Sequence, residues 1–201
     1  MIEVEIKVKV TEQQKQNLIQ VANFISQEII VDTYYDSKKY SLTIKGMWLR
    51  ARNGLFELKT PATQTGGFNI DKNIPMHEFT NQDEIAKILN LHECYKISFL
   101  DALTKVGYKE IYKIITTRES YKKNKFIIDF DCARCDNLTY TACELETIVD
   151  NKDQCQNALN DLLAFIKPFG ISSEKAEGKL WYFIKNINPT HYQALKNAGE
   201  K

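Results

Sequence analysis

The sequence has little glycine and proline, no long apolar run and no excess of either charge. It contains 8 Gly and 4 Pro in 201 residues, which excludes a collagen-like repeat and argues against a disordered chain. Its apolar runs are too short for a membrane-spanning helix. The 27 Lys and Arg residues nearly balance the 26 Asp and Glu residues, so there is no chain-wide basic field to attract nucleic acid or anionic lipid. We therefore expect a globular protein that binds neither nucleic acid nor membranes.

The N-terminus and the cysteines indicate a reducing compartment. The first ten residues, MIEVEIKVKV, include two glutamates and lack the apolar segment of a signal peptide. This predicts a cytoplasmic protein, in which the odd number of cysteines, 5, would be free thiols. A zinc site at Cys132 and Cys135 is a weaker alternative, because no second pair of ligands has the matching spacing.

The apolar pattern predicts an α+β fold with many antiparallel strands. Strands are predicted at 1–10, 28–35, 47–53, 55–60, a stretch ending at 79, 108–119, 122–131 and 140–149. Helices are predicted at 11–25, 81–91, 98–106, 151–167 and, as a pair, within about 173–201. The Asn53-Gly54 pair is a strong hairpin signal. Because no linker or repeat interrupts the pattern, we expect a single domain over 1–201, with the C-terminal helices packed on the strands.

The charges within the predicted strands recur at a spacing of two, which places neighbouring side chains on the same face. The sets that share a face in this way are Glu3, Glu5 and Lys7; Arg50 and Arg52; Glu57 and Lys59; Asp129 and Asp131; and Glu144 and Glu146. Like charges at this spacing repel, so an ordinary sheet surface gains nothing from them.

Two interpretations of this pattern stand side by side. The first is a solvated face of an antiparallel sheet, with polar residues outside and apolar residues inside. The second is a closed barrel whose charged face points inward onto a highly charged ligand, with helices covering its apolar outer face. Guanidinium and ammonium groups match phosphate oxygens, and clustered carboxylates suit Mg²⁺ or Mn²⁺. The second interpretation therefore predicts a site for a metal–polyphosphate.

The residues also resemble a known family. The opening Glu3-Val4-Glu5-Ile6-Lys7 is similar to the ExExK signature of the CYTH superfamily, the triphosphate tunnel metalloenzymes. The segments that continue the resemblance are DTYYD at 32–36, WLRAR at 48–52, ELK at 57–59, Glu78, Arg118, DFD at 129–131, ELE at 144–146 and GKL at 178–180. Within the superfamily, the WLRAR segment and the C-terminal KLWYFIKNINPTHYQAL look closest to animal thiamine triphosphatases.

The resemblance implies a closed eight-stranded antiparallel β-barrel with helices packed outside, and hydrolysis of a triphosphate with Mg²⁺ as cofactor. It implies metal ligation by Glu3, Glu5, Glu144 and Glu146, together with Asp129 or Asp131. It implies triphosphate binding by Lys7, Arg50, Arg52, Lys59, Arg118 and Lys179. Glu78 would orient one of these cations, and the residues expected to be catalytic are Lys7, Arg52, Lys59 and Glu78. Trp48 and Tyr34 would lie near a thiamine end, because aromatic faces attract a cationic ring.

These implications predict a cytoplasmic, monomeric, Mg²⁺-dependent hydrolase that removes the terminal phosphate of thiamine triphosphate. Two other activities fit the same scaffold: hydrolysis of inorganic tripolyphosphate, which needs only the charged part of the site, and, less well supported, adenylyl cyclase activity. A further alternative is a polyphosphate-binding module without turnover. For Trp48, core packing is as good an explanation as ligand contact. Glu78 and Glu5 are equal candidates for the general base.

Overall fold

The computed structural model describes residues 2–61, 76–91 and 97–199. Its contacts divide the chain into two compact units. The first unit consists of residues 1–30 and 115–179, and the second of residues 31–114 and 180–201. The two units are described separately below.

The described part of the chain contains eight strands, six α-helices and three short 3-10 helices. The strands are β1 (Ile2–Val8), β2 (Asn23–Asp36), β3 (Trp48–Arg52), β4 (Leu55–Pro61), β5 (Met76–Phe79), β6 (Lys109–Lys123), β7 (Phe126–Cys135) and β8 (Leu138–Val149). The helices are α1 (Glu12–Val21), α2 (Gln82–Ile88), α3 (Phe99–Lys105), α4 (Cys155–Ile166), α5 (Lys179–Ile187) and α6 (Pro189–Gly199). In these residues, no helix has the length and apolar character needed to cross a membrane.

The strands are hydrogen-bonded in the order β1-β8-β7-β6-β2-β3-β4-β5. Each pair whose register is described is antiparallel. The predicted α+β class and the eight antiparallel strands are therefore confirmed. Closure of a barrel requires its two terminal strands to pair, whereas β1 and β5 end the order in the described residues. The closed form of the barrel is not confirmed.

The core of the first unit lies between one face of its strands and two helices. Val8, Ile128 and Leu145 are buried on this face and pack with Leu18 of α1 and Leu162 of α4. Thr11 begins α1 with a capping box: its hydroxyl accepts from the backbone of Gln14, whose side chain accepts from the Thr11 backbone. The apolar strand face of this unit is thus covered by helices, as the sequence predicts.

The core of the second unit has the same construction. Leu49 of β3 and Leu58 of β4 are buried against Ile85 of α2 and Leu103 of α3. Asn53 and Gly54 connect β3 to β4 with φ angles of 48° and 88°, as a hairpin turn with two left-handed residues requires. The hairpin predicted from this dipeptide is therefore confirmed.

A fully buried histidine also lies in the second unit. His191 of α6 is 0% exposed, and its ring stacks on Tyr40 at 3.8 Å between centroids. Its Nε2 lies 2.7 Å from the Thr43 hydroxyl and its Nδ1 lies 2.9 Å from the Tyr112 hydroxyl. Burial lowers the pKa of His191 to about 4, against a smaller opposite effect of Asp36. The imidazole is therefore neutral at physiological pH.

Several predicted element boundaries differ from the observed ones. The helix predicted to residue 25 ends at Val21, and β2 begins at Asn23, five residues before the predicted strand. Ala22 is already extended, with φ −117° and ψ 156°, so the chain leaves the helix although its apolar spacing continues. The C-terminal helices begin only at Lys179. The predicted loop at 63–67 and His92 lie outside the described residues.

Candidate functional site

The charged residues predicted for the first unit lie on one strand face. In the antiparallel register, Glu5 is opposite Glu146, Lys7 is opposite Glu144, and Glu144 is opposite Asp129. Directly opposed residues share a face of the sheet, and this face is the reverse of the one that carries the apolar core. We call these strand residues, together with Lys179 at the start of α5, the acidic cluster. Its members are Glu3, Glu5, Lys7, Arg118, Asp129, Asp131, Glu144, Glu146 and Lys179.

Arg118 connects three of the carboxylates. Its Nε and Nη2 donate to the two oxygens of Asp131 at 2.6 and 2.9 Å. Nη2 also donates to Glu144 at 2.8 Å, and Nη1 lies 2.9 Å from Asp129 Oδ2. Burial opposes the charge of the guanidinium, but these acidic partners outweigh it and raise the pKa of Arg118. Arg118 therefore stays charged and fixes the positions of the carboxylates around it.

Glu144 and Asp131 also contact two lysines. Lys7 Nζ lies 2.7 Å from Glu144, and Lys179 Nζ lies 3.7 Å from Asp131 while donating to Thr116 at 3.0 Å. Burial alone would raise the pKa of Glu144, but Lys7 and Arg118 lower it below its usual value. Glu144 is therefore an ionised carboxylate held between cations.

Glu146 has a different environment. Its pKa is raised to about 7, first by burial and then by the nearby carboxylates of Glu3, Asp129 and Glu5, against a smaller effect of Arg118. The face around Glu146 thus has more negative charge than its own cations compensate. A bound cation would relieve this repulsion.

Asp129 has an oxygen available for a ligand. Its Oδ1 is buried and accepts no hydrogen bond, which is costly for a carboxylate. Burial raises the pKa of Asp129, against the effects of a hydrogen bond from the Ser120 side chain to the carboxylate and of the charge of Arg118. Both oxygens of Asp131, by contrast, accept from Arg118. Among the described residues, no three His, Cys, Asp or Glu side chains are already arranged as a metal site. The reason to expect Mg²⁺ at this face is the chemistry of its oxygen donors and its excess of carboxylates, not a preformed set of ligands.

The second unit has a charged strand face of its own. Asp32 is opposite Arg52, Tyr34 is opposite Arg50, Arg50 is opposite Glu57, and Lys59 is opposite Glu78. We call this set the arginine cluster; its members are Asp32, Tyr34, Arg50, Arg52, Glu57, Lys59 and Glu78. Arg52 donates through Nε and Nη2 to the two oxygens of Asp32 at 2.8 and 3.2 Å.

Arg50 is the most enclosed cation of this cluster. Its Nε donates to Glu57 at 2.7 Å, its Nη2 lies 3.4 Å from Glu78, and its Nε lies 3.8 Å from Asp32. Glu78 also contacts Lys59 at 3.3 Å. Burial opposes the charge of Arg50, but the surrounding groups raise its pKa above the usual value. Glu78 thus contacts two cations, Arg50 and Lys59, and its role in orienting one of them stays a prediction.

The two predicted aromatic contacts differ in accessibility. Tyr34 is 7% exposed, and burial raises its pKa while Arg50 opposes the shift. Trp48 is half-buried and meets Trp181 of α5 edge-on, with 5.9 Å between ring centroids. Trp48 is therefore the better placed of the two for contact with an organic group.

Other predicted features are placed away from these clusters. His77 is exposed. Cys132, Cys135, Cys143 and Cys155 are free thiols; Cys132 and Cys135 are three residues apart on β7, so they point to opposite faces and do not form a zinc site. Asp32 is a charged residue of the arginine cluster that was not predicted, although its spacing of four from Asp36 was a signal that both lie on one face of β2.

Comparisons with known proteins agree with the fold. A model of the CYTH domain matches residues 1–179, and the chain therefore belongs to the CYTH domain family. The PH1819 protein of Pyrococcus horikoshii OT3 is a similar solved structure, with 23% identity over 92% of this chain and 99% of the other, and a TM-score of 0.59. The family is thus established by sequence, and the fold by structural likeness.

Two further similar structures have been described with an activity. One is a proposed adenylate cyclase from Vibrio parahaemolyticus, with 18% identity over 92% of this chain and 98% of the other, and a TM-score of 0.56. The other is HpAC1 from Hippeastrum, a proposed adenylyl cyclase that is described as having a dominant triphosphatase activity. It has 12% identity over 92% of this chain and 94% of the other, and a TM-score of 0.58. At these identities the likeness establishes the fold alone.

Proposed function

We propose that this protein is a Mg²⁺-dependent hydrolase that removes the terminal phosphate of thiamine triphosphate. The observation that carries the proposal best is the acidic cluster, in which carboxylates suited to a divalent ion share one strand face with Lys7 and Arg118, and Lys179 of α5 contacts Asp131. A metal–triphosphate needs both kinds of group. The family membership and the triphosphatase activity stated for HpAC1 support the same class of substrate.

The cation would be held by Glu3, Glu5, Glu146 and Asp129, with Glu144 at the margin of the set. Asp129 is favoured over Asp131 because its Oδ1 accepts no hydrogen bond, whereas both Asp131 oxygens accept from Arg118. When bound, Mg²⁺ would neutralise charge on the phosphate oxygens.

The protein's own cations would bind and orient the substrate. The candidate donors to phosphate oxygens, on which charge develops during phosphoryl transfer, are Lys7, Arg118 and Lys179 in the acidic cluster. Arg50, Arg52 and Lys59 are the candidates in the arginine cluster. Arg52 is the most accessible arginine of its cluster, with a side chain that is 33% exposed, against 10% for Arg50. Arg50 therefore contributes mainly by fixing Glu57 and Glu78, and Arg52 by direct contact.

Inorganic tripolyphosphate is the second candidate substrate. The burial of Tyr34 leaves Trp48 as the main candidate for a thiamine contact. The charged residues alone would suffice for tripolyphosphate. Adenylyl cyclase activity, for which two neighbours have been proposed, ranks below both. Monomeric state and cytoplasmic location stay predictions.

A substrate panel tests the proposal directly. Orthophosphate release is measured from thiamine triphosphate, tripolyphosphate and ATP, with Mg²⁺ and with EDTA. We expect the highest kcat/KM with thiamine triphosphate, complete loss of activity in EDTA and recovery on addition of Mg²⁺. A higher kcat/KM with tripolyphosphate would select the second candidate, and full activity in metal-free buffer would contradict the metal assignment.

A further inference from the structure

We propose that Asp32 is a positioning residue, which fixes the guanidinium of Arg52 in the orientation that binds the triphosphate. The inference rests on the proposed function, because it takes Arg52 as a triphosphate ligand. Asp32 itself would touch no phosphate: its role would be exerted through the arginine.

The contact between the two side chains is specific in geometry. Arg52 Nε donates to Asp32 Oδ1 at 2.8 Å and Arg52 Nη2 donates to Oδ2 at 3.2 Å. Two parallel hydrogen bonds fix the plane of a guanidinium, whereas one bond leaves it free to rotate. The strands support this pairing, since Asp32 of β2 lies directly opposite Arg52 of β3.

The burial of the two partners is unequal. The Asp32 side chain is 0% exposed and that of Arg52 is 33% exposed. Neither of the two bonds to Asp32 uses Nη1, so Nη1 is the part of the guanidinium that would donate to a phosphate oxygen. A buried carboxylate behind a partly exposed arginine thus presents a fixed donor to a ligand, and the ligand does not have to order a flexible side chain when it binds.

A matched control lies four residues along the same strand. Asp36 is also 0% exposed, but its carboxylate accepts from the backbone N–H groups of Ser37, Leu42 and Thr43. None of its hydrogen bonds in the described residues involves an arginine. Replacement of Asp36 by Asn therefore perturbs a buried aspartate of the same strand without removing a partner of Arg52.

The experiment compares Asp32→Asn with Asp36→Asn in tripolyphosphate and thiamine triphosphate hydrolysis. The Asn amide nitrogen would face an N–H of Arg52, so the second hydrogen bond is lost while size and shape are kept. We expect D32N to lower kcat/KM about tenfold to a hundredfold, the range for a misplaced catalytic group, and D36N to change it by less than about twofold. Equal losses in both variants, at temperatures where both are folded, would overturn the proposal.

The double variant separates positioning from a general structural effect. If Asp32 acts through Arg52, adding D32N to Arg52→Ala should change kcat/KM by less than about twofold beyond R52A alone, because coupled residues are not additive. Additive losses would overturn the proposal. So would tighter calorimetric binding of tripolyphosphate by D32N, since Asp32 would then only compete with the ligand for Arg52.

A further variant keeps the proposal testable if D32N does not fold. Arg52→Lys retains the charge but has no planar fork to be oriented, and we expect the same tenfold to hundredfold loss. Wild-type activity of R52K would overturn the proposal. If the wild-type protein hydrolyses none of the triphosphates, the proposed function fails; if it does hydrolyse one and D32N matches it, only the positioning role fails.

Discussion

The acidic cluster and the arginine cluster use the same kinds of side chain in different proportions. In the acidic cluster, the six carboxylates of Glu3, Glu5, Asp129, Asp131, Glu144 and Glu146 exceed the three cations Lys7, Arg118 and Lys179. In the arginine cluster, Asp32, Glu57 and Glu78 equal the three cations Arg50, Arg52 and Lys59. Burial and then the neighbouring carboxylates of the first cluster raise the pKa of Glu146. An excess of half-buried carboxylate favours the binding of a proton or of an added cation, whereas a balanced cluster holds its arginines in place.

The largest expected effect on kcat comes from removing one cation of either cluster. Lys7→Ala and Arg52→Ala should each lower kcat by about 10²- to 10³-fold, the usual loss for a group that stabilises transition-state charge. Orthophosphate release measures the loss, and circular dichroism tests that the fold is kept. Lys125→Ala, which removes an exposed lysine paired with Asp161, should retain activity. Near wild-type hydrolysis by both K7A and R52A would show that neither cluster binds the substrate.

The second prediction concerns stability in the unit that contains the arginine cluster. His191 has a pKa of about 4 in the folded protein and about 6.5 when unfolded. Between these values the unfolded chain binds more protons, so the stability due to a neutral His191 is present above pH 6.5 and decreases as the pH falls toward 4. The difference corresponds to about 3 kcal/mol.

Urea denaturation of the wild-type protein and of His191→Gln, at pH 7 and pH 4.5, measures this effect. The variant is expected to be less stable at pH 7 but to lose less free energy of unfolding on acidification. An identical pH dependence in the two proteins would mean that His191 does not titrate as inferred.

The third prediction tests the excess of carboxylate. Glu5→Gln in the acidic cluster should raise the Mg²⁺ concentration for half-maximal activity roughly tenfold, because it removes a charged oxygen ligand. Glu57→Gln in the arginine cluster removes the same charge from a set without an excess and should leave the Mg²⁺ requirement unchanged. Metal titrations of both variants measure the Mg²⁺ concentration for half-maximal activity. An equal shift in the two variants would contradict the inferred difference between the clusters.

The smallest effects should come from helix caps, one in each unit. Thr11→Ala and Asn81→Ala remove side chains that accept from backbone N–H groups at the starts of α1 and α2. Each should lower the free energy of unfolding by about 1 kcal/mol and leave kcat/KM unchanged. Chemical denaturation measures the first quantity and orthophosphate release the second; a loss of kcat/KM in either variant would link the caps to the sites.

The sequence predicted local features better than pairings. The alternation at residues 2–8, the capping box at Thr11 and the turn at Asn53-Gly54 depend on neighbouring residues, and all three are observed. The start of β2 was misplaced because Phe24 and Ile25 continue the apolar spacing of α1 after the chain has become extended. Strand pairing sets where such a segment leaves the helix, and a single sequence does not contain that information.

The same limit applies to the candidate site. The spacing of two predicted that Arg50 and Arg52 share a strand face, and that Asp129 and Asp131 do. It did not predict which acidic side chain pairs with which basic side chain. That Asp131 occupies Arg118 with both oxygens, while Asp129 keeps one oxygen without a hydrogen bond, depends on the register of three strands. Asp32 escaped prediction for the same reason, since its partner lies twenty residues further along the chain.

The burial of His191 bears on where the folded unit ends. The family match stops at residue 179, yet Tyr40, Thr43 and Tyr112 converge on a histidine twelve positions later. A protein that ended at residue 179 would lack His191, so the side chains of Tyr40, Thr43 and Tyr112 would lose the residue that they all contact. The segment that matches the family therefore ends before the segment that packs into the folded unit. Recombinant fragments or fusions should retain α6.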